Sequence, residues 1–318
     1  MSLRIFSRIG IACAIAMQAA TACCFSQQAS LDQKLQAYAD QLTANETSLK
    51  LEPDNQTLRK QEITTATAAA LEARRTNHME ESLTFLLRAN YWVPNDAELL
   101  LNTGIQEESM KLYKDADKTL AQAQQLGPGN LKTLYAIARV KMDLNQTQAS
   151  EAAWRSYLEQ RSEDASAHFG YGLLLQMLQR IDEAKAQFQK SIDLHPQQAE
   201  SYYRLGEIAR DAGDIATAKS NYEITIAHAP AHAGALTGLA ILDYKAKQYD
   251  QAESLLEKAT QYAPDFQTAR YYHGLTLARL GRKQESEKEL AIAIQIADAQ
   301  NARKEQEKQL AAQPYQPQ

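Results

Sequence analysis

Histidine, cysteine and paired carboxylates are the side chains from which proteins build metal sites, nucleophiles and acid–base pairs, and this 318-residue chain holds six histidines and three cysteines. His228 and His232 stand four apart, the spacing that lets two imidazoles on one helix meet a single metal ion. Pro230 lies between them and interrupts the helix that such a site requires. Cys13, Cys23 and Cys24 all sit near the N-terminus, so nothing beyond residue 24 can form a disulfide or a thiolate metal site. Carboxylate pairs such as Glu107–Glu108 and Asp182–Glu183 fall in stretches that read as helix surface, where charge serves solubility. There is no glycine-rich phosphate loop, no nucleophile elbow and no haem-attachment motif. The formal charge is −5 and no run of Lys or Arg forms a stripe that could track phosphates, which argues against nucleic acid as a partner. These features describe a chain without catalytic residues, a metal site or a cofactor.

The elements that hold the remaining candidates begin after a leader. The opening stretch, MSLRIFSRIGIACAIAMQAATACCFSQQAS, sets Arg4 and Arg8 ahead of an apolar run that ends near Ala22 and is followed by small residues, which is the build of a secretory signal peptide. At about fourteen residues the run is too short for a permanent membrane span. Residues 1–26 are therefore expected to be removed, with cleavage near residue 22 or 26, and the mature protein to be periplasmic or secreted. The segment ATAC ending at Cys23 also resembles a bacterial lipoprotein processing site, although Ala20 stands where leucine is commonest. Lipidation of Cys23 would make the protein membrane-anchored, and that anchor would be its one attachment to a membrane.

Beyond residue 62 the chain obeys a period of 34, in the blocks 63–96, 97–130, 131–164, 165–198, 199–232, 233–266 and 267–300. The eighth place of the blocks holds Ala70, Gly104, Ala138, Gly172, Gly206, Ala240 and Gly274, and the twentieth holds Ser82, Ala116, Ser150, Ala184, Ala218, Ala252 and Ser286. The twenty-fourth is large: Leu86, Leu120, Trp154, Phe188, Tyr222, Leu256 and Leu290. Small residues permit close helix crossings and the large ones fill the space beside them. Pro94, Pro128, Pro196, Pro230 and Pro264 close most blocks, with Ser162 and Asp298 as exceptions. Gly213 and Gly281 supply tight turns at the fifteenth place, where Asn77, Lys111, Asn145, Gln179 and Lys247 predict less sharply set turns.

Residues such as YYRLGEIARDAGDIATAKSNYEITIAHAP resemble the tetratricopeptide repeat, a 34-residue helix–turn–helix unit with small residues and a closing proline at these places. The resemblance implies an all-α fold, a right-handed α-solenoid of about seven such units, in which the first helix of each pair lines a concave surface. In this family the fourth place packs inside the unit and the fifth resembles the groove-lining positions, which would put Tyr202 inside and Tyr203 on the surface. The fifth place reads Thr67, Leu101, Tyr135, Phe169, Tyr203, Thr237 and Tyr271, and the ninth reads Leu71, Ile105, Arg139, Leu173, Glu207, Ile241 and Leu275. The candidates for contact with a protein or peptide partner are Leu101, Tyr135, Phe169, Leu173, Tyr203, Tyr271 and Leu275. Two other dispositions stay open: packing of these side chains on the next unit, and cover by the chain's own helix at residues 31–51.

That helix belongs to a flanking segment, 30–53, in which Ser30 and Gln33 have capping-box spacing and Leu31, Leu35, Tyr38, Leu42 and Leu49 share one face. At the other end, residues 301–318 are expected to be a polar helical extension to about residue 310 and a loose tail, PYQPQ. The function that follows is an exported adaptor holding a peptide segment or partner protein in its groove. The alternative is a structural or assembly subunit of a larger cell-envelope complex.

Overall fold

The computed structural model describes residues 33–312, with side chains to Gln306. Residues 1–32 with the three cysteines and the start of the expected capping box, and the residues after Ala312, lie outside the described residues, and so do the expectations that fall on them. The described residues are helical, with no strand among them. Helix α1 spans residues 33–51. It is followed by α2 (Gln56–Arg75), α3 (Met79–Trp92), α4 (Ala97–Ser109), α5 (Tyr113–Leu126), α6 (Leu131–Asp143), α7 (Thr147–Gln160), α8 (Ala165–Met177) and α9 (Ile181–Leu194). The order continues with α10 (Ala199–Asp211), α11 (Ile215–His228), α12 (Ala233–Lys245), α13 (Tyr249–Tyr262), α14 (Gln267–Arg279) and α15 (Lys283–Ala312). They form two compact units, one ending at Tyr157 and one beginning at Leu158.

Local chemistry sets the helix ends at the same places in successive blocks. The residue before a first helix caps it in several units: the carboxylate of Asp96 accepts from the Leu99 amide at 2.8 Å, and Asn130 and Asp164 each accept from two amides of the following turn. The fifteenth residue adopts a left-handed backbone in all seven turns, with φ from 57° at Asn145 to 80° at Gly213. The sixteenth N–H then reaches back to the carbonyl of the eleventh, as in Asp214 to Ala209 at 2.9 Å and Gln248 to Asp243 at 2.8 Å. The expectation that the non-glycine turns are less sharply set is thereby corrected. Asn77, Lys111, Asn145, Gln179 and Lys247 take the same conformation as Gly213 and Gly281. Side-chain strain there is outweighed by the carbonyls the turn satisfies and the packing of the two helices it joins.

Packing within each pair follows the small and large places. A Cβ added to Gly104 would stand 2.6 Å from Leu120, one on Gly172 would stand 2.7 Å from Phe188, and one on Gly274 would stand 2.6 Å from Leu290. Eighth-place glycine is thus the seat of the twenty-fourth-place side chain one helix later. Serine at the twentieth place goes further than small size, because Ser82 and Ser150 donate to the carbonyls of Ala70 and Ala138 across the crossing, at 2.9 and 2.7 Å.

In the first unit, Leu35 and Leu42 of α1 join a core with Ala66, Ala69, Ala73, Phe85 and Leu86. Lys34 near the start of α1 approaches Glu72 near the end of α2, and Lys50 near its end lies over Trp92 at the end of α3. So α1 runs antiparallel to α2, in the manner of a second helix placed ahead of the first pair. In the second unit α15 runs on well past the repeat, and every side chain from Asp298 to Gln306 is exposed.

Candidate partner-binding surface

The second unit shows which side of the helix pairs is inner. First helices touch their successors, α10 with α12 and α12 with α14, and no comparable contact joins successive second helices there. The first-helix side is therefore the closer-packed and concave one. Along it Phe169, Leu173 and Leu275 are half-buried, while Tyr271 is 43 % exposed and Met177 44 % exposed. Arg279 extends the surface, its Nε donating to the Tyr244 hydroxyl at 3.4 Å, and the Tyr244 ring meets Tyr272 edge-on with centroids 5.9 Å apart. Each half-buried aromatic offers a rigid apolar face whose ordering costs little rotamer entropy.

The two tyrosines at 202 and 203 are both half-buried, so the expected division into an inside and a surface residue is corrected. Tyr202 stacks on His228, with centroids 5.9 Å apart. Tyr203 is wedged between units: its ring lies 4.5 Å from His232, and a Cβ on Gly234 would come within 2.9 Å of it. Burial pushes its phenol pKa up. Behind it Tyr222 is fully buried and donates to Glu207 at 2.5 Å, and Glu207 in turn pairs with Arg210 at 3.0 Å. Burial and then this carboxylate raise the Tyr222 pKa. A ninth-place side chain that reads as groove lining is here an acceptor for a core hydroxyl.

The first unit presents a different face. Leu101 is only 2 % exposed, so it cannot contact a partner and its assignment to the groove is corrected. Tyr135 is half-buried and lies edge-on against Trp154 and Tyr157, with centroids at 5.0 and 5.4 Å. Two polar pairs lie there: Arg74 with Gln106 at 2.9 Å, and Arg139 with Glu108 at 2.9 Å. Burial raises the Glu108 pKa, and Arg139 offsets part of that rise. Leu71, on the ninth place of the first block, remains 65 % exposed, so α1 does not cover it.

Several histidines have identifiable structural surroundings, although neither ring nitrogen of the buried His273 is hydrogen-bonded. His168 is held between Gln187 and the Ser162 carbonyl, at 2.7 and 2.9 Å, and His273 approaches Glu289 at 3.6 Å. His228 ends α11 whereas His232 caps α12 through the Ala235 amide, so the two rings stand on different helices.

Family comparisons agree with the unit geometry: tetratricopeptide repeat models match residues 135–199, 177–218 and 209–280. Residues 135–280 belong to the tetratricopeptide repeat family. Among curated proteins, 167 of its residues are 22 % identical to "Tetratricopeptide repeat protein 8" of Caenorhabditis elegans, a match that covers 51 % of this chain and 32 % of the relative's length. Among solved structures, a tetratricopeptide repeat protein from Parabacteroides merdae is 16 % identical with a TM-score of 0.58, covering 74 % of this chain and 93 % of that one. PilF of Pseudomonas aeruginosa is 15 % identical with a TM-score of 0.58, covering 67 % and 97 %. The Cut9–Hcn1 hetero-tetramer of the APC/C is 15 % identical with a TM-score of 0.60, covering 82 % and 50 %. At these identities the likeness is one of fold, an all-α solenoid.

This repeat protein also holds features that the repeat pattern alone does not single out. Gly238 faces Tyr222 from the following unit, where an added Cβ would stand 2.6 Å from the ring. The signal was present as a glycine six places into the block that follows the tyrosine. Glu62, just ahead of the first block, is fully buried beneath α1, and nothing in its local sequence distinguishes it from a surface glutamate.

Proposed function

We propose that the protein is an exported, non-catalytic adaptor that holds a segment of a partner protein along the first-helix side of its second unit. The observation that carries this reading is the accessible strip of Phe169, Leu173, Met177, Tyr271 and Leu275, bordered by Arg279. Tyr203 contributes its exposed edge, and the wedge it makes against Gly234 ties the strip to the packing of successive units. The exposure of Leu71 favours an adaptor over an assembly subunit whose inner face is filled by its own N-terminal helix. Export rests on Arg4, Arg8 and the short apolar run of the leader, and lipidation of Cys23 would fix the adaptor to a membrane.

Site-specific photocrosslinking in the source cells tests the surface. A benzophenone side chain at Tyr271 should trap a discrete partner, and the same group at Tyr262, which is 50 % exposed at the end of a second helix, should not. Equal trapping from both positions, or trapping from Tyr262 alone, refutes the reading. Once the partner is in hand, Tyr271→Ala should weaken it by about 1–2 kcal/mol if the ring is an anchor.

A further inference from the structure

Glu62 is buried without the partners that an ionised carboxylate needs. Its side chain is 0 % exposed, and neither carboxylate oxygen has a hydrogen-bond partner. The groups around it come from three helices. On its own helix, Arg59 is turned away to the Pro53 carbonyl at 2.8 Å and toward Asp54 at 3.6 Å. From α1 come Asn45, whose amide nitrogen also lacks a partner, and Glu46, whose negative charge opposes a second one. From α3 comes Arg88, already engaged by Glu46 at 2.9 Å and Thr43 at 3.0 Å.

The approach of Asn45 and Glu46 to Glu62, and of Glu46 and Thr43 to Arg88, closes only when α1 is seated, and α1 is joined to α2 by the short non-helical stretch 52–55 that contains Pro53. The helix can therefore leave without breaking any repeat turn. We propose that α1 is a proton-linked latch, in which Glu62 must carry a proton for α1 to seat on α2 and α3, and rising pH loosens that helix from the end of the first unit. Departure of α1 would uncover the apolar face of Ala66, Ala69, Ala73 and Phe85 that Leu35 and Leu42 now cover.

The direction of the linkage follows from burial. Desolvation and the neighbouring Glu46 charge raise the Glu62 pKa from 4.5 to about 7 in the seated state, while Asn45 and Arg88 pull it down more weakly. A carboxyl whose pKa is raised by docking stabilises the docked state below the free pKa. That stabilisation is lost as pH climbs between the free and docked values. The opening constant of α1 should thus rise by up to about tenfold per pH unit, on the order of fortyfold in all between pH 5 and 7, and level off above about pH 7.5.

Amide hydrogen exchange of the full chain, expressed as protection relative to the intrinsic rate at each pH, reads that opening directly. In the wild type, protection across residues 33–51 should fall about fortyfold from pH 5 to 7 while α12 keeps its protection. In Glu62→Gln, which cannot ionise, α1 protection should be flat. Wild-type protection that is constant or rises over this interval, or that falls equally in Glu62→Gln, overturns the proposal. If the glutamine variant does not fold, Glu62→Leu takes its place with the same expectation. The carboxyl carbon-13 resonance of Glu62 then provides a second measurement, and a midpoint near 4.5 instead of near 7 overturns the latch.

Discussion

The contact between Gly238 and Tyr222 is the most demanding test of how this protein packs. Tyr222 is fully buried and clamped on two sides: a Cβ on Gly206 would stand 2.9 Å from two ring atoms, and one on Gly238 would stand 2.6, 2.8 and 2.9 Å from three. Its hydroxyl is tied to Glu207 at 2.5 Å, so the ring cannot slide away along its axis without breaking a bond to a carboxylate. Gly238→Ala should therefore incur an overpacking cost of about 1–3 kcal/mol. Against it stands the helix-propensity gain of alanine over glycine inside α12, about 1 kcal/mol. The net expectation is a destabilisation of roughly 0–2 kcal/mol. Placing leucine at 222, as Leu86, Leu120 and Leu256 stand at the equivalent place elsewhere, removes the ring. In that background Gly238→Ala should become stabilising by up to about 1 kcal/mol. A double-mutant cycle in urea, followed by circular dichroism, measures the difference, and a coupling on the order of 2 kcal/mol is expected. If Gly238→Ala stabilises the wild type, or acts identically in both backgrounds, the reasoning fails.

The left-handed turns give an independent stability prediction: Lys111→Gly, Gln179→Gly and Lys247→Gly should each stabilise by about 0.5–1 kcal/mol, and Gly213→Ala should destabilise by a similar amount, read from urea midpoints. Ala218, fully buried at a crossing, should lose roughly 1–3 kcal/mol when changed to leucine, with hydrogen exchange rising first in α10 and α11. Tyr222→Phe keeps the ring and removes the hydroxyl, so thermal melting should report a loss of about 1.5–3 kcal/mol from the bond to Glu207. Intact mass of the protein from its own cells checks the leader, since a mature N-terminus near residue 22 or 26, or lipid on Cys23, is expected and a full-length product refutes export.

The all-α fold, the helix–turn–helix unit and the identity of the crossing residues were legible in the chain because a 34-residue period repeats a local requirement at every unit. Glycine or alanine at the eighth place and leucine or an aromatic at the twenty-fourth answer each other within one helix pair, and local spacing is enough to match them. Turn shape was less legible. Lysine and glutamine have no preference for positive φ, and only the combined demand of two packed helices and their unsatisfied carbonyls holds Lys111, Gln179 and Lys247 there. The candidate surface divides in the same way. Position on a first helix follows from the period, but exposure depends on what the neighbouring helices supply. The same fifth place accordingly leaves Tyr271 open, wedges Tyr203 against Gly234 and seals Leu101. Burial of Glu62 is the extreme case. A glutamate in a polar stretch reads as surface until a separate helix, joined through residues 52–55, folds back over it, and desolvation by a non-local neighbour then decides its proton affinity.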